Sequence, residues 1–255
     1  MCGSKWPALA SVGLALATLC YAGSMNAQED AAACLSREQG ETILNELREL
    51  KALLQGGGAA LVRPAVSDTA SVNVNGALSL GKADAPVVMV EFVDFQCGFC
   101  RKFHLSTFDT LRSRYIDTGK LRYVLKNLPL SFHRHAHGSA IAARCAADVG
   151  GSIAYWRLVD ALFLNQRNLS APVVERLVEE IGVDQIRFGA CVNDPRIAAL
   201  VAKDVEEAAR AGITGTPGFV VGTANGDVVT GVRIRGAQPD AVFTAKIDGL
   251  LKSVK

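Results

Sequence analysis

Apolar and polar positions recur with changing periods along this 255-residue chain, and the changes mark out its elements. Val87 to Phe95, V-V-M-V-E-F-V-D-F, is a nearly unbroken apolar run and predicts a strand buried on both faces. From Cys97 the spacing turns helical, continued by Arg101, Lys102, Phe103, Thr107, Phe108 and Leu111. Leu121 to Lys126 predicts a second strand, broken by Asn127-Leu128-Pro129-Leu130. From about Ala136 to Ala211 the pattern is helical. Its segments are Ala136 to Val149, Ile153 to Phe163, a start at Ser170 and Pro172, Asp184 to Val192, and a start at Asp194-Pro195 that Gly212 stops. Phe219 to Val221 and Asp227 to Arg235 predict strands joined at Asn225-Gly226, a hairpin signal. Pro239 opens a last helix with Phe243, Ile247 and Leu250 on its inner face, and Ser71 to Leu80 predicts one short edge strand.

The first 70 residues follow a different pattern. Residues 1–27 predict a secretory signal: Lys5, an apolar segment from Trp6 to Tyr21, then small and polar residues ending at Ala27. That apolar segment is short for a transmembrane helix, an uncleaved membrane anchor being the alternative to a cleaved signal. Residues 28–58 hold a separate helix, with Ser36 and Gln39 as a capping box and Gly56-Gly57-Gly58 as its end. Ile43, Leu47, Leu50 and Leu54 recur at spacings of four, three and four, the rhythm of a coiled-coil seam, so residues 36–54 predict a homo-oligomer contact, a helix folded back on its own domain being the alternative. Residues 59–70 read as a linker, and residues 71–255 as the remaining domain.

Composition narrows the function classes. Hydrophobic residues make up 49% of the chain, enough for one sizeable core plus appendages. The formal net charge is +2, from 27 basic and 25 acidic residues, with no basic block or stacking cluster, so nothing points to nucleic acid.

The chemistry is concentrated where the first strand ends, in Cys97-Gly98-Phe99-Cys100. At a helix N-terminus unpaired N–H groups and the dipole lower the pKa of a thiol. Cys100 lies one turn on, at the spacing a reversible disulfide needs. Half of a zinc site with His104 or His133, or a static bridge, would use the same pair, and so would an extracytoplasmic copper- or zinc-binding protein. No second C-x-x-C or Cys-His pair at ligand spacing accompanies it, and His133, His135 and His137 read as loop residues before a helix, so no metal is expected. Two features favour redox chemistry. Glu91 lies inside the apolar strand, where a bare carboxylate is costly, and is positioned to take the Cys100 proton during thiol exchange. Far downstream, Gly215-Thr216-Pro217-Gly218-Phe219-Val220 sets a proline at the start of an apolar strand.

The strand, the Cys97–Cys100 motif and Thr216-Pro217 together resemble the thioredoxin superfamily, and the long helical stretch between them resembles its DsbA-like branch. The resemblance covers roughly Gly81 to the C-terminus. It implies an α/β thioredoxin fold, a central mixed sheet flanked by helices, with a helical insertion at about residues 135–212. It implies that Pro217 is cis beside the cysteine pair, that the backbone of Thr216 docks substrate, and that Glu91 is the family's buried acid, with Lys126 either its partner or an ordinary strand-end lysine. Between the cysteines DsbA itself has Pro-His; Gly98-Phe99 is closer to the Gly-Tyr of the disulfide isomerase DsbC, which leaves the direction of electron flow open.

Of seven cysteines, Cys2 and Cys20 fall in the signal and Cys97 with Cys100 form the redox pair. Some DsbA-like relatives carry a second bridge in the helical insertion, which implies Cys145–Cys191; two separate buried thiols are the alternative. Cys34 is left over, free or paired between chains. The expectation is an exported, periplasmic thiol–disulfide oxidoreductase needing no organic cofactor. It would act on unfolded or misoxidised exported proteins and be reset by a membrane redox partner.

Overall fold

The computed structural model describes residues 37–56 and 68–253, and the chain divides into two units, Met1–Ala65 and Val66–Lys255. The predicted signal, Cys34 and most of the predicted linker lie outside the described residues. In the first unit helix α1 spans Arg37–Gly56, ending at the first glycine of the Gly56-Gly57-Gly58 run. Of its seam, Ile43 and Leu47 are exposed, with Leu44 beside them.

The second unit is built on a six-stranded sheet. Its strands are β1 (Thr69–Asn73), β2 (Leu78–Leu80), β3 (Val87–Val93), β4 (Leu121–Asn127), β5 (Gly218–Asn225) and β6 (Val228–Arg235), in the order β1-β6-β5-β3-β4-β2. β3 lies at the centre, parallel to β4 and antiparallel to β5, and all seven of its residues are buried. Successive side chains of a strand point to opposite faces. Val87, Met89 and Val93 therefore join Tyr123, Leu125 and Phe219 in one core, while Val88, Val90 and Phe92 join Val124 and Val220 in another. The first core carries Phe103, Phe219 and Phe243 with ring centroids 4.7–5.3 Å apart.

Helices α2 (Gly98–Ser106) and α3 (Phe108–Leu111) follow β3 and continue into a π-helical turn, Arg112–Ile116. Between β4 and β5 lie α4 (Ala136–Leu164), α5 (Ala171–Glu180), α6 (Gln185–Val192) and α7 (Pro195–Arg210); α8 (Asp240–Ser253) closes the described chain. Pro172 and Pro195 occupy the first turns of α5 and α7, where a missing N–H costs nothing. Asp184 and Asp194 cap α6 and α7 by accepting from the backbone N–H of Arg187 and Arg196.

Three sequence expectations need correction. Ser71 to Leu80 is not one edge strand: the chain turns at Asn75-Gly76, where Gly76 has a φ of 68°, and β1 and β2 end at opposite edges of the sheet. The two helical stretches flanking residue 150 run on as one element, bent at Gly151 with φ 75°, a conformation that favours glycine. The hairpin turn sits one residue later than Asn225-Gly226, with Asn225 paired to Val228.

Candidate active site

β3 delivers the chain into a tight turn at Asp94, and Cys97 then caps α2 in extended conformation. The turn is held from several sides. Asp94 is buried; its carboxylate accepts from the Gln96 N–H at 2.7 Å, the Leu130 N–H at 2.8 Å and His133 Nδ1 at 2.8 Å. The Asp94 carbonyl accepts from the Cys97 N–H. Gln96 Oε1 accepts from the His135 N–H, and Gln166 Nε2 donates to the Cys97 carbonyl at 2.7 Å. Two segments distant in sequence thus fix the loop that presents the thiols.

The two thiols differ sharply. Cys97 is 6% exposed and Cys100 0%, so Cys97 is the sulfur within reach of a substrate. The Cys97 pKa is lowered to about 5. Hydrogen bonding from the Cys100 thiol is the largest cause, opposed by burial and reinforced by Thr216 and by the backbone N–H groups of Cys100 and Phe99. Those N–H groups belong to the first turn of α2, the helix-terminus effect expected from the sequence. Burial pushes the Cys100 thiol well above its ordinary value, and the hydrogen bond to Cys97 and the charge of Glu91 push it further. Near neutral pH this is a thiolate beside a thiol.

Glu91 is fully buried on the same sheet face as Leu125 and Phe219. Its Oε2 accepts from the Tyr123 hydroxyl and lies 3.3 Å from His104 Nε2. Lys126 is not its partner. Lys126 pairs in register with Phe92, so its side chain leaves β4 on the opposite face and meets Asp204 of α7 at 2.8 Å. Asp204 also accepts from Arg144 at 2.6 Å and from Asn127. Burial raises the Asp204 carboxyl, but Arg144 and Lys126 outweigh it and hold the pKa below the usual range.

The Thr216–Pro217 peptide is cis, and the Thr216 carbonyl oxygen lies 3.3 Å from Cys97 Sγ, where it can accept only while the thiol keeps its proton. Thr216 and Pro217 therefore border the reactive sulfur, leading into β5 next to β3. Cys145 of α4 and Cys191 of α6 are joined in a disulfide, with Cα atoms 5.7 Å apart. His133 is bound to Asp94, and among the described residues no group of three or more His, Cys, Asp or Glu side chains is arranged to hold a metal ion. Sequence reasoning missed Tyr123, Asp204, Asp94, Gln96 and Gln166. Strand parity carried a signal for one of them: Tyr123 shares a face with Leu121 and Leu125, whereas Lys126 shares one with Val124.

A strand-borne cysteine pair opening a helix, faced by a cis-proline loop, is the arrangement of a thioredoxin-type site. The chain belongs to the thioredoxin family, whose model, described as Thioredoxin, matches residues 73–232. Its fold is DsbA-like. The crystal structure of Wolbachia pipientis alpha-DsbA1 aligns with a TM-score of 0.63 at 24% identity, covering 72% of this chain and 94% of that one. BdbD from Bacillus subtilis aligns with a TM-score of 0.63 at 20% identity, covering 72% and 97%. Among curated proteins, a probable disulfide bond formation protein D from Bacillus cereus is 29% identical over 152 residues, 56% of this chain and 68% of that protein. A Na(+)/H(+) antiporter NhaA 3 from Salinispora tropica is 34% identical over 142 residues, 55% of this chain. The match spans about a fifth of that antiporter's length (21%), and among the described residues no helix is long and apolar enough to cross a membrane.

Proposed function

We propose that this protein is an extracytoplasmic thiol–disulfide oxidoreductase that exchanges disulfides with other proteins through Cys97 and Cys100. The observation that carries the reading is the placement of the two sulfurs one helical turn apart at the start of α2, Cys97 at its N-cap 3.3 Å from the Thr216 carbonyl before a cis-proline and Cys100 fully buried behind it. Their acidities are opposed to match, Cys97 lowered to about 5 and Cys100 raised. The thiolate is the nucleophile in disulfide exchange, and a low-pKa thiol is also the better leaving group.

Starting reduced, the Cys97 thiolate attacks a substrate disulfide, forms a bond to one substrate sulfur and releases the other as thiolate. Cys100 loses its proton to Glu91, bonds to Cys97 and displaces the second substrate sulfur as thiolate. Substrate has gained two electrons and the enzyme carries the disulfide. Starting oxidised, the same steps run backwards: a substrate thiolate attacks Cys97, Cys100 leaves and takes up a proton, and a second substrate thiolate frees Cys97. The backbone of Thr216 docks the incoming chain, and Cys145–Cys191 is structural.

Substrates of this reading are unfolded or misoxidised exported proteins. Two large apolar side chains by the site, Phe99 (66% exposed) and Phe132 (76% exposed), suit extended apolar segments. A membrane redox protein resets the pair, and the exposed Ile43 and Leu47 of α1 pair the chain with a second copy. The test is trapping. Cys100→Ala should accumulate mixed disulfides through Cys97, separable on non-reducing gels, and Cys97→Ser should accumulate none and be inactive. Wild type that neither reduces insulin nor oxidises a reduced substrate would refute the activity, and trapping by the Cys97 variant alone would reverse the roles.

A further inference from the structure

The step in which Cys100 changes protonation needs a route to water, and Glu91 offers none by itself, because it is fully buried. Its neighbours define what is available. Tyr123 donates its hydroxyl to Glu91 Oε2 and is itself fully buried; burial, then the Glu91 charge, pushes its pKa well above the ordinary value, so it holds the carboxylate without carrying a proton away as phenolate. His104 is different. Its Nε2 lies 3.3 Å from Glu91 Oε2 and 3.4 Å from the Tyr123 hydroxyl, and imidazole exchanges protons near neutral pH.

The imidazole is held by rings. It stacks on Phe163 at 4.0 Å between centroids and lies 5.1 Å from Phe108. Phe108 also lines a surface cleft of about 300 Å³, together with Trp156, Arg112 and Asp160. Trp156 in turn lies 5.8 Å from the Tyr123 ring. Residues packed on two members of the buried trio therefore form a wall of one solvent cleft. Asp160 is exposed there; burial raises its carboxyl and a charged His104 lowers it. Glu91 from β3, Tyr123 from β4 and Asp160 from α4 bear on His104, Cys100 of its own helix bears on it through Glu91, and Asp109 and Arg112 bear on Asp160.

We propose that His104 relays the proton between Glu91 and water in the Asp160 cleft, so that Cys100 is protonated and deprotonated without passing its proton through the substrate-facing surface. The inference rests on the thiol-exchange reading above. When Cys100 closes onto Cys97, its proton passes to the Glu91 carboxylate, the carboxylic acid passes it to neutral His104, and the imidazolium returns it to water. The electron pair of the Cys100 sulfur forms the new S–S bond and the departing substrate sulfur keeps the pair of the old one. Oxidation of substrate runs the same transfers in reverse. His104 acts through Glu91, 3.3 Å from its Nε2, so it is a positioning and relay residue.

The test separates the two chemical steps. Reduced protein is mixed with oxidised glutathione, quenched in acid and resolved by mass spectrometry into the Cys97–glutathione adduct and the internal disulfide. His104→Gln should slow conversion of adduct to internal disulfide about tenfold, within the range of positioned acid–base catalysis, and change its pH dependence. Adduct formation by Cys97 should keep its rate. An unchanged pH profile for conversion overturns the relay, and so does equal slowing of both steps, which marks a packing role. A measurement on wild type covers the case in which the variant does not fold. The NMR titration midpoint of His104 should differ between the reduced and disulfide forms, and identical midpoints overturn the relay. Absence of any Cys97 adduct in wild type would overturn the thiol-exchange reading itself.

Discussion

Replacing Cys100 by alanine removes the largest influence that lowers the Cys97 thiol to about 5. A hydrogen bond to a charged group contributes about 1.5–3 kcal/mol, which at 1.36 kcal/mol per pKa unit is about one to two units. Cys97 in Cys100→Ala should therefore ionise between about 6 and 7, still below the ordinary 9.0 because the α2 N–H groups and Thr216 remain. Thiolate absorbance followed against pH reads the midpoint directly, and the pH dependence of iodoacetamide alkylation reads it independently. The same acidity ties stability to pH. The unfolded thiol titrates near 9.0 and the folded one near 5, so its contribution to the reduced form is complete above 9.0 and is lost as pH falls through about 5. At pH 7 the interval from about 5 to 7 counts, worth about 2.7 kcal/mol, or about 60 mV toward a more oxidising disulfide in a two-electron couple. Urea denaturation of the reduced and oxidised forms should show the reduced form gaining on the oxidised one between about pH 4 and pH 7. A wild-type midpoint near 9.0, a Cys100→Ala midpoint no higher than wild type, or a stability difference constant over that range would refute the reasoning.

Other expectations follow from the packing. Removing Cys145–Cys191 by a double alanine substitution opens a loop with a sequence separation of 46 and should cost about 4 kcal/mol in urea denaturation, while Cys97 keeps its ionisation midpoint. Asp204→Asn leaves Lys126 and Arg144 buried without their counter-charge and should cost about 3–5 kcal/mol, again with an unchanged Cys97 midpoint. Phe99→Ser should change stability by less than about 0.5 kcal/mol, since the ring is exposed, yet slow adduct formation with an apolar peptide disulfide. Deleting the residues before Gly56 should leave a folded, redox-active monomer by sedimentation; a full-length chain that already sediments as a monomer would count against pairing through α1.

The parts of this fold legible in the sequence are those governed by neighbours along the chain. β3 announces itself because a nearly unbroken apolar run has few other solutions, and Pro172 and Pro195 mark helix starts because their chemistry is local. The errors arise where a local signal was outvoted or absent. Asn75-Gly76 is a turn signal inside a stretch read as one strand. The partner of Lys126 lies 78 residues away on another helix, and no periodicity connects them. Placing Lys126 beside Glu91 followed the family resemblance; parallel pairing sets Glu91 opposite Leu125 and turns Lys126 to the other face. The cysteine pair was legible, its electrostatics only in direction: the fall in the Cys97 pKa follows from the helix start, whereas its main cause is the second thiol.

Arg144 and Cys145 are consecutive residues of α4, and each is committed to a different neighbour: Arg144 to Asp204 of α7, which also holds Lys126 of β4, and Cys145 to Cys191 of α6. One turn of helix is thereby riveted to the sheet, to α7 and to α6 together. Opening the helical layer away from the sheet at this level would strand a buried carboxylate between two cations or break a covalent link, so the layer serves as a wall and not as a lid. On the proposed function, adaptation to substrates of different shape would then fall to the substrates themselves, which would favour chains still loose enough to bend around a fixed sulfur over those already folded.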